Sequence, residues 1–225
     1  MFELINRENK IFYILQEFID AKLGFIIIGG YAISSYKHRF SVDVDLVIKK
    51  EDKKKFEEVL INNKFKKTID KELEQVYSPE FIRYEAKEKL PVSVDLLING
   101  VGSRTTDASW SFEQLKERSK VRKIIGIEKE ILARVPDREI LIVLKLHSGR
   151  LTDFRDIVAL CKNLDLKFIK KLIWIGKISV VKQNIKKLLS LLEEKGFIDS
   201  FKGVFIEKRY DVDLDEVKRL KALID

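Results

Sequence analysis

Three acids stand where acids are costly. In GGYAISSYKHRFSVDVDLVI, residues 29–48, Asp43 and Asp45 alternate with Val42, Val44 and Leu46, and Asp95 follows in VSVDLLI, residues 92–98. Strand side chains alternate faces, so Asp43 and Asp45 project to one side and their apolar neighbours to the other. Two carboxylates so close repel each other; either one keeps a proton or both share a cation. Oxygen ligands on a short strand suit Mg²⁺, which keeps several waters and takes one or two carboxylates together with phosphate. If 92–98 lies beside 42–48, Asp95 completes a three-carboxylate cluster able to hold two divalent ions. Such a cluster activates an attacking hydroxyl and stabilises the leaving oxygen of a phosphoryl displacement. The plainer alternative is one strand-end cap and one solvated aspartate.

Other residues add to the first reading. Gly29 and Gly30 follow the apolar run FIII (25–28) and precede a short helix expected near 31–37. Glycine permits close backbone approach, free N–H groups at a helix start attract phosphate, and Ser34 and Ser35 add hydroxyls. A glycine pair alone is commonly a packing device; ahead of a DxD strand it points to a phosphate cradle. Lys145 lies within ILIVLKLH (140–147), where a cation should seek an anion, triphosphate among them. Thr152 is placed to cap the next helix, with Asp153 and Asp156 in its first turn, either capping and pairing with Arg150 or serving the site. Arg39 either contacts phosphate or braces the DxD loop. His38 reads as a solvated loop residue and His147 as packed core.

The elements that must position these residues are legible in outline. Residues 9–22 put Ile11, Leu15, Phe18 and Ile19 on one helical face. FIII is short and β-branched, as in a strand buried on both sides. VDVDLVI (42–48) is the next strand, a charged helix follows near 51–63, and strands with charged connections fill 65–98. The turn-rich GVGSRTTDAS (100–109) marks a border between an N-terminal α/β domain, 1–108, and a mainly helical domain, 109–225. Helices are expected near 111–118, 137–149, 152–163, 165–175, 179–195 and 213–224. A second DVDL string near 210–215 lacks a preceding Gly-Gly unit, so Asp213 or Asp215 reads as a helix cap.

Composition excludes some classes. At 225 residues and 45% hydrophobic the chain can bury a core, and no apolar run nears the roughly 18 residues of a membrane span. The N-terminal MFELINRENK has no signal-like apolar core, so a cytoplasmic protein is expected. With one cysteine, Cys161, and two histidines, an intrachain disulfide is impossible and a structural zinc site is disfavoured. The Lys- and Glu-rich, Gln-poor composition leans towards a thermophile source. The net charge of +8 is concentrated in KERSKVRK (116–123) and in 162–187, where eight lysines face only Asp165. That pattern is either solvated helix faces or a surface for RNA, DNA or nucleotide.

The order strand, Gly-Gly, helix, DVDL strand, VDLL strand resembles the nucleotidyltransferase superfamily typified by DNA polymerase β. GGYA followed by R-F-S-V-D-V-D-L is similar to the branch of AbiEii-type toxins and related nucleotidyltransferases, in which GGYA precedes an Arg, a Ser or Thr, and DIDL. PDREILIVLKLHSGRLTDFRDIVAL (136–160) also resembles that branch, in which a Lys-bearing helix precedes an Arg-x-x-Asp-x-x-Asp segment. Relatives often have a glycine just before the Arg; here Lys37 and His38 stand in that turn.

The resemblance implies an α/β (α+β) fold, a mixed sheet flanked by helices, followed by a mainly helical domain completing the site. It also implies Mg²⁺- or Mn²⁺-dependent transfer of a nucleoside monophosphate from an NTP to a hydroxyl acceptor, either RNA/tRNA or protein, with release of pyrophosphate. Small-molecule acceptors such as antibiotics also occur in the superfamily. Asp43, Asp45 and Asp95 would be the metal residues. Gly29, Gly30, Ser34, Ser35, Arg39 and Lys145 would contact nucleotide, and Asp156 or Asp153 would be a supporting acid. A toxin–antitoxin role would add an antitoxin partner. The rival classes are an inactive nucleotide- or RNA-binding module of the same fold and a DxD glycosyltransferase. The Gly-Gly-to-DxD spacing and Asp95 disfavour the second.

Overall fold

The computed structural model describes residues 2–72, 80–201, 205 and 212–225. It opens with α1 (Phe2–Asp20), β1 (Phe25–Ile28), α2 (Gly29–Ile33), β2 (Asp43–Ile48), α3 (Lys53–Asn62), β3 (Lys66–Glu72), β4 (Glu80–Ala86) and β5 (Val92–Ile98). The strands form one mixed sheet in the order β1-β2-β5-β4-β3. Only β2 and β5 run parallel; every other pair in this sheet is antiparallel. All four residues of β1 are buried, which is why its sequence is an unbroken apolar run rather than an alternating one.

Alternation divides the sheet into a structural and a chemical face. Val44, Leu46, Val94, Leu96, Ile82 and Tyr84 are buried together on the first. α1 and α3 cover the sheet there, with Phe18 packed at a tilt against Phe56 at 4.7 Å between ring centroids and edge-on to Phe25. α1 begins about two turns earlier than its strongest apolar periodicity suggests, while Ile11, Leu15 and Phe18 face the core as expected.

After β5 the chain makes a small hairpin, β6 (Gly100–Ser103) and β7 (Ala108–Ser111), then α4 (Phe112–Glu117). The border expected between 108 and 109 falls inside β7. A second ribbon follows, β8 (Ser119–Ile125) and β9 (Glu130–Pro136), and β9 packs against β1. Residues 119–136 carry no helical period; Lys123 and Arg134 lie on the outer face with exposed Val121, Ile125 and Leu132, whereas Lys120 and Arg122 lie on the face of buried Ile124 and Ala133. The rest is helical: α5 (Arg138–Ser148), α6 (Leu151–Leu160), α7 (Leu166–Ile173), α8 (Ile178–Leu191), α9 (Lys195–Ser200) and α10 (Leu214–Lys218). Asp213 caps α10 by accepting from the Glu216 N–H at 3.0 Å, while Asp211 of that DVDL string lies outside the described residues. Among the described residues no helix is long and apolar enough to cross a membrane.

His147 is fully buried on α5, with Trp110 edge-on at 4.9 Å. One ring nitrogen, Nδ1, lies 2.7 Å from the Thr106 hydroxyl, and Nε2 lies 3.0 Å from the Ile173 carbonyl. A neutral ring satisfies both contacts when Nε2–H donates to the carbonyl and the hydroxyl donates to Nδ1. Burial pushes its pKa down to about 4. A depressed folded value means the unfolded chain takes the proton first. Stability is therefore full above about pH 6.5 and drains as pH falls towards 4, by up to about 3 kcal/mol. Urea unfolding at pH 7.5 and 4.5 is expected to show that slope. In His147→Gln, which cannot titrate, the slope should be flatter despite a lower starting stability.

Candidate active site

β2 and β5 are parallel neighbours in the register that sets Asp45 directly opposite Asp95, with Asp43 two residues back on the same face. The adjacency that a three-carboxylate cluster requires is therefore present. The acids differ in environment. Asp95 is almost fully buried, and Arg83 of β4, its cross-strand partner, grips it. Arg83 Nε donates to Asp95 Oδ1 at 2.7 Å and Nη2 donates to Oδ2 at 2.7 Å. The same Nη2 reaches Asp43 Oδ2 at 3.2 Å. Burial still raises the Asp95 carboxyl above the usual range, with Arg83 opposing it.

Asp45 makes no hydrogen bond or ion pair among the described residues. Burial, then the Asp43 and Asp95 charges, push its pKa up to about 7. As donors, three oxygen-bearing carboxylates on neighbouring strands suit a hard divalent cation. In this conformation the guanidinium takes both oxygens of one acid and one oxygen of another. Among the described residues no group of three His, Cys, Asp or Glu side chains is disposed around an ion position.

Gly29 has φ +64°, a left-handed backbone at the strand-to-helix corner, and a Cβ built there would meet Asp45 Oδ2 at 1.9 Å. At Gly30 a Cβ would meet Ser41 Oγ at 2.2 Å. The glycine pair thus lets the corner lie against the acid strand and its approach loop. Gly29→Ala is expected to cost about 2 kcal/mol or more, from the unfavourable φ and the displaced carboxylate. Thermal melting checks the cost, and Gly30→Ala should destabilise as well, because its Cβ would also meet Ser41 Cβ at 2.7 Å, which moves only with the backbone.

Ser34 and Ser35 use their hydroxyls locally: Ser34 Oγ donates to the Arg39 carbonyl at 2.9 Å and Ser35 Oγ to that of Ala32 at 2.8 Å. The Arg39 guanidinium is paired with Asp156 of α6, so it braces the DxD loop.

Behind that loop lies a buried ionic cluster. Lys145 Nζ is 2.8 Å from Asp153 Oδ1 and 2.8 Å from Asp156 Oδ2, and both acids are fully buried. Arg150 adds Nε to Asp153 Oδ2 at 2.8 Å and Nη2 to Oδ1 at 3.2 Å. Lys145 thus pairs with both acids of α6 at once. Burial alone would raise the Asp153 pKa, but Lys145 and Arg150 hold it at about 2. Burial alone would lower that of Lys145, but Asp156 and Asp153 hold the ammonium above its ordinary range.

The chemical face of the sheet and the helical region enclose a cleft of about 500 Å³. Gly29, Asp45 and Arg83 line it from one side, Lys145, Arg150 and Asp153 from the other. Lys71 and Arg104 stand at its rim and make no ion pair among the described residues. Ile69, Phe81, Leu97, Val101 and Leu144 supply an apolar wall. Five cations and two carboxylates beside an apolar wall suit a ligand with several negative charges and a ring system.

The sequence candidates thus separate. Gly29, Asp45 and Lys145 line the cleft; Asp43 and Asp95 stand beside it behind Arg83. Ser34, Ser35, Arg39 and Asp156 are engaged in bracing the loop and the cluster. Arg83 escaped sequence reasoning. Its signal was an arginine alternating with Ile82 and Tyr84 in EFIRYEA, which places it on the face opposite those residues. Arg150 was visible only as a pairing partner.

No protein-family model and no curated protein matches this sequence. Solved structures resemble it at low identity. ANT(2")-Ia in complex with adenylyl-2"-tobramycin is 14% identical, aligning over 77% of this chain and 95% of that one with a TM-score of 0.51. The lincosamide antibiotic adenylyltransferase LnuA, lincomycin-bound, is 17% identical over 68% of this chain and 95% of that one, with a TM-score of 0.47. JHP933 from Helicobacter pylori is also 17% identical, over 98% of this chain and 89% of that one, at 0.47. With the mixed sheet flanked by helices and the helical C-terminal part, the chain has the nucleotidyltransferase fold.

Proposed function

We propose that this chain transfers a nucleoside monophosphate from an NTP to a hydroxyl acceptor. The observation that carries this reading is the in-register pair Asp45–Asp95, with Asp43 beside it, on the sheet face that borders a cation-lined cleft. The acceptor oxygen forms a bond to the α-phosphorus, the bond from that phosphorus to the bridging oxygen breaks, pyrophosphate departs, and the hydroxyl proton passes to solvent. Asp43, Asp45 and Asp95 would hold Mg²⁺ or Mn²⁺, which when bound supplies positive charge to acidify the hydroxyl and offset the leaving group. Lys145, fixed by two buried acids, faces the cleft as a permanent cation for phosphate oxygens, so its position costs no reorganisation during transfer. Gly29 lets the backbone corner and Asp45 share one position.

A polyanionic acceptor such as RNA or tRNA is supported by α7 and α8, where Lys167, Lys170, Lys171, Lys182, Lys186 and Lys187 are all exposed. A protein hydroxyl is the alternative acceptor. With the likeness to AbiEii-type toxins, the reading extends to growth arrest relieved by an antitoxin, which expression of native and Asp43→Ala chains would reveal.

The test is incubation with each α-³²P-labelled NTP and Mg²⁺ or Mn²⁺, with total tRNA or with the protein alone, beside an Asp43→Ala/Asp45→Ala control. Label moved by the native chain and not by the control supports transfer and identifies the acceptor class. The hold of Arg83 on two acids favours a second reading, a nucleotide- or RNA-binding module without transfer. Metal-dependent NTP binding with no label moved to any acceptor would favour that module.

A further inference from the structure

We propose that Arg83 is a built-in counter-ion that stands in for a divalent cation between Asp43 and Asp95, so that metal enters together with nucleotide and not before it. The proposal rests on the nucleotidyl-transfer reading.

The pairing is part of the sheet itself. Arg83 and Asp95 are direct partners of adjacent antiparallel strands, so the guanidinium lies over the carboxylate by register rather than by the chance reach of a long side chain. Its fork takes both Asp95 oxygens at 2.7 Å, a two-point match that a metal must break, and its Nη2 also reaches Asp43 at 3.2 Å. Asp45 and the second oxygen of Asp43 then remain for a cation arriving alone. Without Asp95 they make an incomplete set for Mg²⁺, and displacing Arg83 from Asp95 would leave its charge without a partner.

Nucleotide changes that balance. Arg83 also lines the cleft and is more exposed than the acid it holds. A triphosphate entering beside it brings phosphate oxygens that offer the guanidinium the same bidentate match as a carboxylate. Arg83 exchanges one anion for the other, and Asp43 and Asp95 are released to the ion that travels with the nucleotide. Metal and nucleotide affinities are then coupled, each raising the other by the same factor. A metal-only state, with divalent ion seated and no substrate, is disfavoured.

Mn²⁺ binding, read from the electron paramagnetic resonance of the free ion, tests this without any turnover. Native chain, Arg83→Gln and Arg83→Lys are titrated with Mn²⁺, with and without an α,β-methylene NTP analogue. The native chain is expected to bind Mn²⁺ weakly alone and at least ten-fold more tightly with the analogue. Arg83→Gln should bind Mn²⁺ alone at least ten-fold more tightly than native and lose most of the coupling. Arg83→Lys keeps the charge and loses the fork, so its Mn²⁺ affinity without analogue should rise several-fold; it serves if circular dichroism shows Arg83→Gln unfolded. Equal Mn²⁺ affinity of native and both variants without analogue, with binding intact, would overturn the role of Arg83 and leave nucleotidyl transfer standing. Absence of Mn²⁺ binding in every sample, analogue included, would overturn the metal reading and this proposal with it.

Discussion

Asp45→Asn is expected to reduce nucleotidyl transfer by about 10³-fold or more while raising the melting temperature of the metal-free protein. The two effects have one cause. Asp45 stands opposite Asp95 and two residues from Asp43 on the same face, is held against Gly29, and has no hydrogen bond or ion pair among the described residues. Arg83 is committed to the other two acids. A carboxylate so placed is repelled by its neighbours and poorly solvated, a cost acceptable only if a cation arrives. Asparagine has nearly the same shape, removes the charge and keeps an oxygen. The gain in stability should be about 1–3 kcal/mol near neutral pH, within the range found when strained active-site groups are replaced. Differential scanning calorimetry without divalent metal, beside the labelled-NTP assay, reads both quantities. A variant that lost stability along with activity would mark Asp45 as a structural residue instead. Asp95→Asn should behave oppositely in stability, because it would weaken a bidentate partner of Arg83.

Lys145→Ala carries the second large effect, and here stability and transfer should fall together. Lys145 is buried, and its ammonium meets two carboxylates that are themselves fully buried. Removing one partner from a buried ion pair usually costs about 3–5 kcal/mol, because the remaining charge is left without compensation. Asp153 would keep Arg150 and Asp156 would keep Arg39, which places the expected loss near the lower end, about 3 kcal/mol. The same cluster links α5, α6 and the loop before β2, so its relaxation would also loosen the approach to Asp43. Transfer should fall by about 10²-fold or more, through the lost cation and the looser loop. Lys145→Met, which keeps the packing volume, separates the contributions: part of the stability should return, and transfer should not. Recovery of transfer in Lys145→Met would show that the charge is not used.

What could be read without a structure were features of short range. The alternation of VDVDLVI places two carboxylates on one face because strand period is a local property of the backbone. FIII reads as a buried strand because a fully covered segment has no polar positions. The helices from 138 to 191 follow from their apolar periodicity, and Gly149, with φ +68°, ends α5 because glycine takes the left-handed conformation without strain. The ribbon 119–136 was harder to read, since a half-exposed hairpin with basic residues on both faces and apolar Val121, Ile125 and Leu132 exposed shows no clean alternation.

The tertiary structure decided everything that depends on partners far apart in the chain. Asp95 stands across from Asp45 only because β5 joins β2 in parallel, and nothing within VSVDLLI specifies that neighbour or register. Arg83 reaches the acids only because β4 adds to the far side of β5. Both Asp153 and Asp156 serve Lys145 because positions three apart on a helix share a face, while the facing helix sets where the cation lies. A sequence determines which residues a strand turns to one side. Which charges meet there is settled by strand order and register, where burial of the whole sheet outweighs any local preference.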